Sequence, residues 1–240
     1  MKYDVVIIGA GPSGIFCAYE LIRSNPDMKI LMIEKGRAIE SRNCPKRTTK
    51  KCVGCKPCSI TTGFAGAGAF SDGKLSLSPD VGGNLPEILG YDRTIELLNE
   101  ADKIYLEFGA DERVYGLEDY AAIERIRTKA IRANLKLIEC PIRHLGTEEG
   151  YKIYTRLQNH LLASGVEIQF MTMVQDIIIE DGAAKGVVTD KGDTFYADEI
   201  VAGVGREGSE WFSHICKDHG IGTKVGTVDV GVRVEVRDEI

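Results

Sequence analysis

Short apolar runs and helically spaced apolar residues alternate along the first part of the chain. The runs at residues 3–8 and 29–34 predict two buried strands, and the apolar spacing over 15–23 predicts a helix that ends before Pro26. A parallel strand pair needs a crossover connection of about this length. The first 34 residues therefore predict a βαβ unit.

The rest of the chain predicts loops first and then further helices and strands. Residues 36–58 show no periodicity and residues 63–73 consist mainly of Gly, Ala and Ser, so both segments predict loops. The predicted helices are residues 93–108, 118–133, 150–164 and 209–219. The predicted strands are residues 135–142, 166–170, 172–180, 185–189, 194–197 and 199–204, with hairpin signals between the strands of 172–197.

Composition and charge exclude some classes of protein. The 240 residues include 30 Lys and Arg against 36 Asp and Glu, and the net charge of −6 argues against a nucleic-acid-binding surface. No run approaches the ~20 apolar residues of a membrane span, and the run at 5–8 is too short for a signal-peptide core. We therefore expect a cytoplasmic protein without nucleic-acid or membrane partners. The share of glycine, 27 of 240 residues, exceeds the usual ~7%, which indicates segments where the backbone must be free of side chains.

A G-x-G-x-x-G motif at residues 9–14 follows the first predicted strand and opens the first predicted helix. In this context Gly9 makes the turn, Gly11 admits a pyrophosphate, and Gly14 lets the helix pack on the strand. Glu34 lies 20 residues further on, where a carboxylate accepts hydrogen bonds from a ribose and disfavours a 2′-phosphate. The motif predicts a dinucleotide site, and a Gly-rich turn without a ligand is the alternative.

A second G-x-G-x-x-G lies at residues 203–208, again after a predicted strand. The acidic residue available to it, Asp229, begins a strand-like segment instead of ending one, and Gly222 and Gly226 interrupt the strand that should precede it. We therefore interpret residues 199–204 as the returning strand of the first nucleotide-binding domain.

Four of the seven cysteines crowd into one basic segment, at Cys44, Cys52, Cys55 and Cys58. Four thiolates at this spacing suit zinc or an iron–sulfur cluster. A redox pair such as Cys55 with Cys58 is a second interpretation, and free thiols in a solvated basic loop are a third. The surrounding Lys and Arg residues favour thiolate.

Together these motifs resemble the family of two-dinucleotide-binding-domain flavoproteins. The chain is most similar to a group of FAD-dependent or NAD(FAD)-utilising dehydrogenases, which share its Cys-rich loop and its segments 66–75, 143–147 and 231–235. The resemblance implies an α/β fold, with a Rossmann-like FAD/NAD(P)-binding domain in a three-layer ββα arrangement, a β-meander, and an inserted α+β substrate domain. The FAD-binding domain would comprise residues 1–90 and 148–240, and the insertion residues 91–147.

The resemblance also implies which residues hold FAD. The pyrophosphate would lie against Gly9, Gly11, Pro12, Ser13 and Gly14. Glu34 would bind the ribose, Lys35 would lie beside the adenosine, and the main chain of Val174 would meet the adenine. The small residues along the flavin would be Gly66, Gly68, Ala69, Ser71, Asp72 and Gly73, and Gly203 would end the returning strand over the cofactor.

For catalysis, His144 is a candidate proton donor over the flavin, Arg143 a candidate anion-binding group, and Lys74 a candidate at the end of the flavin loop. A structural histidine at a strand end is the alternative for His144. We expect a small-molecule substrate that passes a hydride equivalent to FAD, with NAD(P)H as a candidate electron donor or acceptor. The alternatives are an NAD(P)-binding dehydrogenase without flavin and a non-catalytic nucleotide- or metal-binding fragment.

The length of the chain adds one expectation. The family is substantially longer, and its C-terminal part returns to the FAD domain with a Gly-Asp element that holds the ribityl chain. We therefore expect an N-terminal portion of such a protein, which is either a truncated chain or a product that binds FAD weakly.

Overall fold

A computed structural model describes residues 2–70, 73–226, 231, 232, 235 and 237 of the chain. The predicted flavin-loop residues Ser71 and Asp72 lie outside the described residues. So do Asp229 and two residues, Arg233 and Val234, of the segment 231–235 that contributes to the resemblance.

The described secondary structure is an alternation of helices and strands with short 3-10 turns. The helices are α1 (Pro12–Ser24), α2 (Lys46–Thr49), α3 (Leu85–Leu89), α4 (Tyr91–Glu107), α5 (Tyr120–Arg132), α6 (Thr147–Ala163) and α7 (Ser209–Asp218). The strands are β1 (Lys2–Ile8), β2 (Ile30–Glu34), β3 (Lys74–Ser76), β4 (Val114–Tyr115), β5 (Ile142–His144), β6 (Glu167–Phe170), β7 (Val174–Glu180), β8 (Ala183–Thr189) and β9 (Thr194–Ala202). The 3-10 turns are Ile39–Ser41, Gly66–Phe70 and Arg206–Gly208.

The main sheet has the strand order β6-β2-β1-β9-β8-β7. Its first four strands are parallel, and the predicted βαβ unit is present as β1, α1 and β2. β7, β8 and β9 form the antiparallel meander. β1 and β2 lie at the centre of the parallel part, which explains their unbroken apolar runs, since central parallel strands are buried on both faces.

α1 and α6 cover one face of the parallel strands, and the meander together with α7 covers the other. Successive side chains of a strand point to opposite faces. Ile7 accordingly lies in the cluster that contains Ile15 of α1 and Leu157 of α6. Its neighbour Ile8 lies in a second cluster with Val187 of β8. The predicted three-layer Rossmann-like arrangement with a β-meander is confirmed.

β9 is one strand of nine residues where two were predicted. Its first part pairs with β8 and its second part pairs in parallel with β1, with Ala202 opposite Ile8. The interpretation of the second glycine motif as the end of a returning strand is therefore confirmed.

A small second sheet has the order β3-β5-β4. The strand predicted over residues 135–142 is wrong except for Ile142, because β5 begins there and residues 135–141 form no strand. Leu135 is 65% exposed and Ile138 is 43% exposed, so the apolar residues that suggested a strand have no covering layer. The domain boundaries at 90/91 and 147/148 stay a prediction. None of the helices that the structure describes has the length and apolar character needed to cross a membrane.

Candidate dinucleotide-binding site

A cavity of about 510 Å³ opens where the parallel strands β1, β2 and β9 end. The carboxyl edge of a parallel sheet is the usual place for a ligand in this kind of fold. Predicted cofactor residues that line the cavity are Gly9, Gly11, Pro12, Ser13, Glu34, Lys35, Gly66, Val174 and Gly203. Further lining residues include Thr61, Thr62, Ala67, Thr172, Met173, Glu207 and Trp211.

The three motif glycines meet different requirements. Gly9 has a φ of +98°, and a Cβ there would lie 2.8 Å from the carbonyl oxygen of Gly203. A Cβ on Gly14 would lie 2.0 Å from the carbonyl oxygen of Gly9, so the close approach of α1 to β1 excludes any side chain. Gly11 is different, because a Cβ there would meet no atom within 4 Å. The chain therefore leaves open space at Gly11, on the cavity wall.

The N-terminus of α1 points at this open space. Gly11 is the N-cap, Pro12 occupies the first turn, and the Ile15 N–H donates to the Gly11 carbonyl at 3.0 Å. The N–H groups of Ser13 and Gly14 precede the first intrahelical bond, so the helix itself offers them no acceptor. Such an end attracts anions through these N–H groups and through the helix dipole.

Glu34 ends β2 with its carboxylate between two backbone amides. The Ala10 N–H donates to Oε2 at 2.8 Å, and the Gly36 N–H donates to Oε1 at 2.7 Å. The residue is 6% exposed, and it lines the cavity. Each carboxylate oxygen can accept more than one hydrogen bond. Glu34 therefore stabilises the glycine turn and retains acceptor capacity toward a ligand.

The opposite wall of the cavity is the segment of residues 59–67. The Ala65 N–H donates to the Ala10 carbonyl at 2.7 Å, which ties this wall to the glycine turn. A Cβ on Gly66 would lie 3.7 Å from Cα of Gly11, so the two walls meet at the open space. The sequence predicted that the loop from Gly66 onward lies along the ligand, but it did not predict a role for residues 59–65, and the contact between Ala65 and Ala10 had no local signal.

An exposed ion pair crosses the rim of the cavity. Lys35 Nζ lies 3.1 Å from Glu207 Oε1, which joins the end of β2 to the turn after β9. Near the same rim, the Thr172 N–H donates to the Glu34 carbonyl at 3.1 Å, and Val174 begins β7. The predicted neighbours of an adenosine thus lie together at one end of the cavity.

Three predicted flavin-loop residues lie away from the cavity wall. Gly68 and Ala69 belong to the 3-10 turn Gly66–Phe70, and Ala69 is buried. The Leu145 N–H donates to the Gly73 carbonyl at 2.7 Å, so Gly73 joins the loop to the end of β5. A Cβ on Gly68 would lie 3.5 Å from the hydroxyl of Tyr154, which pairs with the Tyr105 hydroxyl at 3.0 Å.

The predicted catalytic residues lie on the small sheet. Lys74 of β3 is opposite His144 of β5, so the two share one face of this sheet, and both are exposed. Neither lines the cavity. Arg143 directly precedes His144 on β5, so it lies on the other face of this sheet, and it is 4% exposed.

The guanidinium of Arg143 is already bound by the protein. Its Nη2 donates to Asp102 Oδ2 at 2.7 Å, its Nε to Asp102 Oδ1, and its Nη1 to the Asp111 carbonyl. The hydrogen bonds to Asp102 raise the pKa of Arg143 above its ordinary value. Because these contacts already use the guanidinium, Arg143 is not free to bind an anion, in contrast to the prediction. The pair of Arg143 and Asp102 instead joins α4 to β5.

All seven cysteines are free thiols. Within the described part of the chain, which includes Cys44, Cys52, Cys55 and Cys58, no group of three or more His, Cys, Asp or Glu side chains could hold a metal ion. The predicted four-thiolate centre is thus not assembled. Cys58 has one distinguishing property, because hydrogen bonds from the main chain of Thr61 and Ile60 and from the Thr61 hydroxyl lower the pKa of its thiol.

Comparison with known proteins places the chain among flavin and nicotinamide enzymes. The family described as pyridine nucleotide-disulphide oxidoreductase matches residues 114–238, and the Thi4 family matches residues 1–40. The chain is 22% identical over 241 residues to an uncharacterised protein of Clostridium beijerinckii (strain ATCC 51743 / NCIMB 8052), a match that spans 100% of this chain and 38% of the relative.

Two solved structures share the fold. L-amino acid deaminase from Proteus vulgaris matches 91% of this chain and 50% of its own, with a TM-score of 0.52 and 14% identity. Glycine oxidase from Bacillus cereus ATCC 14579 matches 90% of this chain and 59% of its own, with a TM-score of 0.50 and 19% identity. The chain therefore spans only part of the length of the proteins that it matches.

Proposed function

Since the chain belongs to the pyridine nucleotide-disulphide oxidoreductase family, whose match covers just over half of it, we propose that it binds FAD in the cavity at the end of β1. The oxidoreductase class predicted from the sequence is confirmed by this membership. The proposed activity is an FAD-dependent dehydrogenation of a small-molecule substrate.

One observation carries the proposal: the open space at Gly11 coincides with the N-terminus of α1 and the carboxylate of Glu34. This donor set fits a nucleoside pyrophosphate, since amide N–H groups suit its anionic oxygens and a carboxylate suits its ribose hydroxyls. The volume of about 510 Å³ also lies within the ~300–1,000 Å³ usual for cofactor sites.

Each part of the cavity has a role in this assignment. The pyrophosphate would lie against Gly11 and Ser13, the ribose on Glu34, and the adenine near Val174 and Lys35. The negative charge of Glu34 would repel a 2′-phosphate, which favours FAD or NAD over NADP. FAD supplies the hydride chemistry when it is bound, and the protein positions it.

Lys74 and His144 are the proposed proton-handling residues. They share one face of the small sheet, whose strand β3 begins directly after Gly73. An ammonium and an imidazole on one face suit a substrate that carries a carboxylate or loses a proton during oxidation. Arg143 supports this sheet through Asp102.

The test is the uptake of FAD by the purified chain, compared with that of two glycine variants. In Gly11→Val the side chain enters the cavity, and its backbone (φ −76°, ψ 179°) is allowed for valine. Gly222→Val is the matched control, because its Cβ also meets open space, outside the cavity. We expect the wild type and Gly222→Val to bind added FAD with equal affinity in an equilibrium titration, even where that affinity is weak. We expect Gly11→Val to show no binding at the same FAD concentrations, with equal unfolding midpoints for all three.

Two results would redirect the proposal. Binding of NAD⁺ without binding of FAD would indicate a nicotinamide-dependent dehydrogenase that uses no flavin. Binding of neither dinucleotide would overturn the assignment of the cavity.

A further inference from the structure

Arg42 is a buried arginine whose acceptors all belong to the cavity wall. It is 4% exposed and follows the turn Ile39–Ser41. This turn is tied to α6, because the Ile39 N–H donates to Gln158 Oε1 at 3.0 Å. In the sequence it is only one of several basic residues near the cysteines. Its place in the fold is therefore a result of the tertiary structure.

The guanidinium of Arg42 donates to four main-chain carbonyls of the segment 59–66. The distances are 3.0 Å to Ser59, 2.7 Å to Ile60, 2.6 Å to Phe64 and 2.7 Å to Gly66. The guanidinium also lies over the ring of Phe70, 4.6 Å from its centroid. No carboxylate among the residues described lies within ion-pair distance of Arg42, so its partners are dipoles and a ring.

These bonds orient the peptide units of the wall. In a trans peptide the N–H points away from the C=O of the same unit. With the Phe64 carbonyl turned to Arg42, the Ala65 N–H points the other way and reaches the Ala10 carbonyl at 2.7 Å. With the Gly66 carbonyl turned to Arg42, the Ala67 N–H points away from Arg42, and both Gly66 and Ala67 line the cavity.

The charge of Arg42 acts through the same peptide units. A cation bound at a carbonyl oxygen polarises the peptide and strengthens its N–H as a donor, most of all where the dielectric is low. Burial lowers the pKa of Arg42 to about 10, so the group remains charged at neutral pH. The fields of Glu34 and Cys58 favour the charged form.

We propose that Arg42 is a positioning residue of the dinucleotide site, which from behind the wall fixes and polarises the 66–67 peptide so that its N–H binds the pyrophosphate. This inference rests on the proposed function. It assigns to the ligand a further amide donor, opposite the N-terminus of α1, and makes the diphosphate the part of the ligand whose binding depends on Arg42.

The test compares ADP with adenosine as probes, by calorimetry on the folded chain. We expect Arg42→Met to weaken ADP binding by about tenfold or more and to change adenosine binding less than about twofold, because only ADP carries the anion. Arg42→Lys keeps the charge but one ammonium has fewer donors than four carbonyls need, so we expect an intermediate loss for ADP. Arg156→Met is the matched control, since Arg156 also donates to a main-chain carbonyl, that of Phe108, away from the cavity.

Hydrogen exchange separates failure of this inference from failure of the proposed function. We expect the Ala65 amide to exchange faster in Arg42→Met and Arg42→Lys than in the wild type, without any ligand. Equal loss of ADP and adenosine affinity, or unchanged ADP affinity, would overturn the inference while leaving the dinucleotide site in place. A wild type that binds neither probe would overturn the proposed function, and unchanged Ala65 exchange would then refute the positioning role as well. If Arg42→Met does not fold, Arg42→Lys decides the outcome by the same two measurements.

Discussion

Replacement of Glu34 by glutamine tests the electrostatic arrangement at the end of β2. The carboxylate accepts the Ala10 N–H through one oxygen and the Gly36 N–H through the other, and it is 6% exposed. Glutamine keeps one acceptor oxygen, but its NH₂ group then faces a backbone N–H. One hydrogen bond to a charged group, worth about 1.5–3 kcal/mol, is lost, and one buried N–H is left without an acceptor. We expect Glu34→Gln to lower the free energy of unfolding by about 3 kcal/mol.

Urea unfolding followed by the fluorescence of Trp211 measures this change, because Trp211 is the one tryptophan of the chain and lines the cavity. Glu20→Gln is the control, since Glu20 pairs with Arg23 on the exposed side of α1, and we expect its unfolding midpoint to match the wild type. Glu34→Gln should also bind 2′-phosphorylated dinucleotides better relative to unphosphorylated ones. A loss of stability below about 1 kcal/mol would refute the claim that the carboxylate bridges the two amides.

Four further variants or titrations test other parts of the structure. Gly14→Ala should lower the free energy of unfolding by about 3 kcal/mol or more, because its Cβ would lie 2.0 Å from the Gly9 carbonyl oxygen, and equal unfolding midpoints would contradict this packing. Cys58 should be the first thiol alkylated at neutral pH, as identified by mass spectrometry, and Thr61→Val should slow its reaction. Burial and the bond to Glu167 raise the pKa of Tyr3 from 10.0 to about 12, so the stability that this bond contributes is present below pH 10 and lost between pH 10 and 12; the phenolate titration of Tyr3→Phe should lack one late-ionising group. Arg143→Leu should lower the free energy of unfolding by about 3 kcal/mol by leaving the largely buried Asp102 without its partner, and a fully stable variant would refute the structural role of this pair.

Elements whose signals are contiguous were predictable. The βαβ unit, its three glycines and the spacing to Glu34 lie within 34 residues, and each follows from local backbone requirements. The returning strand β9 was also recoverable, because Gly203 follows an apolar run and the acidic partner of an independent site is missing. By contrast, the apolar residues of 135–141 suggested a strand, and the structure gives them no pairing partner.

The cavity wall shows why the remaining residues escaped prediction. Thr61, Thr172 and Trp211 belong to three separate segments that the sheet brings to one edge, and none carries a motif of its own. The same holds for the pair Arg143 and Asp102, separated by 41 positions, where the residue type alone suggested a ligand-binding arginine.

The sequence by itself determined that a glycine turn, a helix N-terminus and a carboxylate would meet a nucleotide, because short-range geometry dictates each of them. Only the tertiary structure decided which loop forms the opposite wall and that Arg42 holds it, since a buried cation among four carbonyls exists only once residues 42 and 59–66 are packed together. Local backbone constraints are encoded residue by residue, whereas the environment of a buried charge is a property of the folded chain.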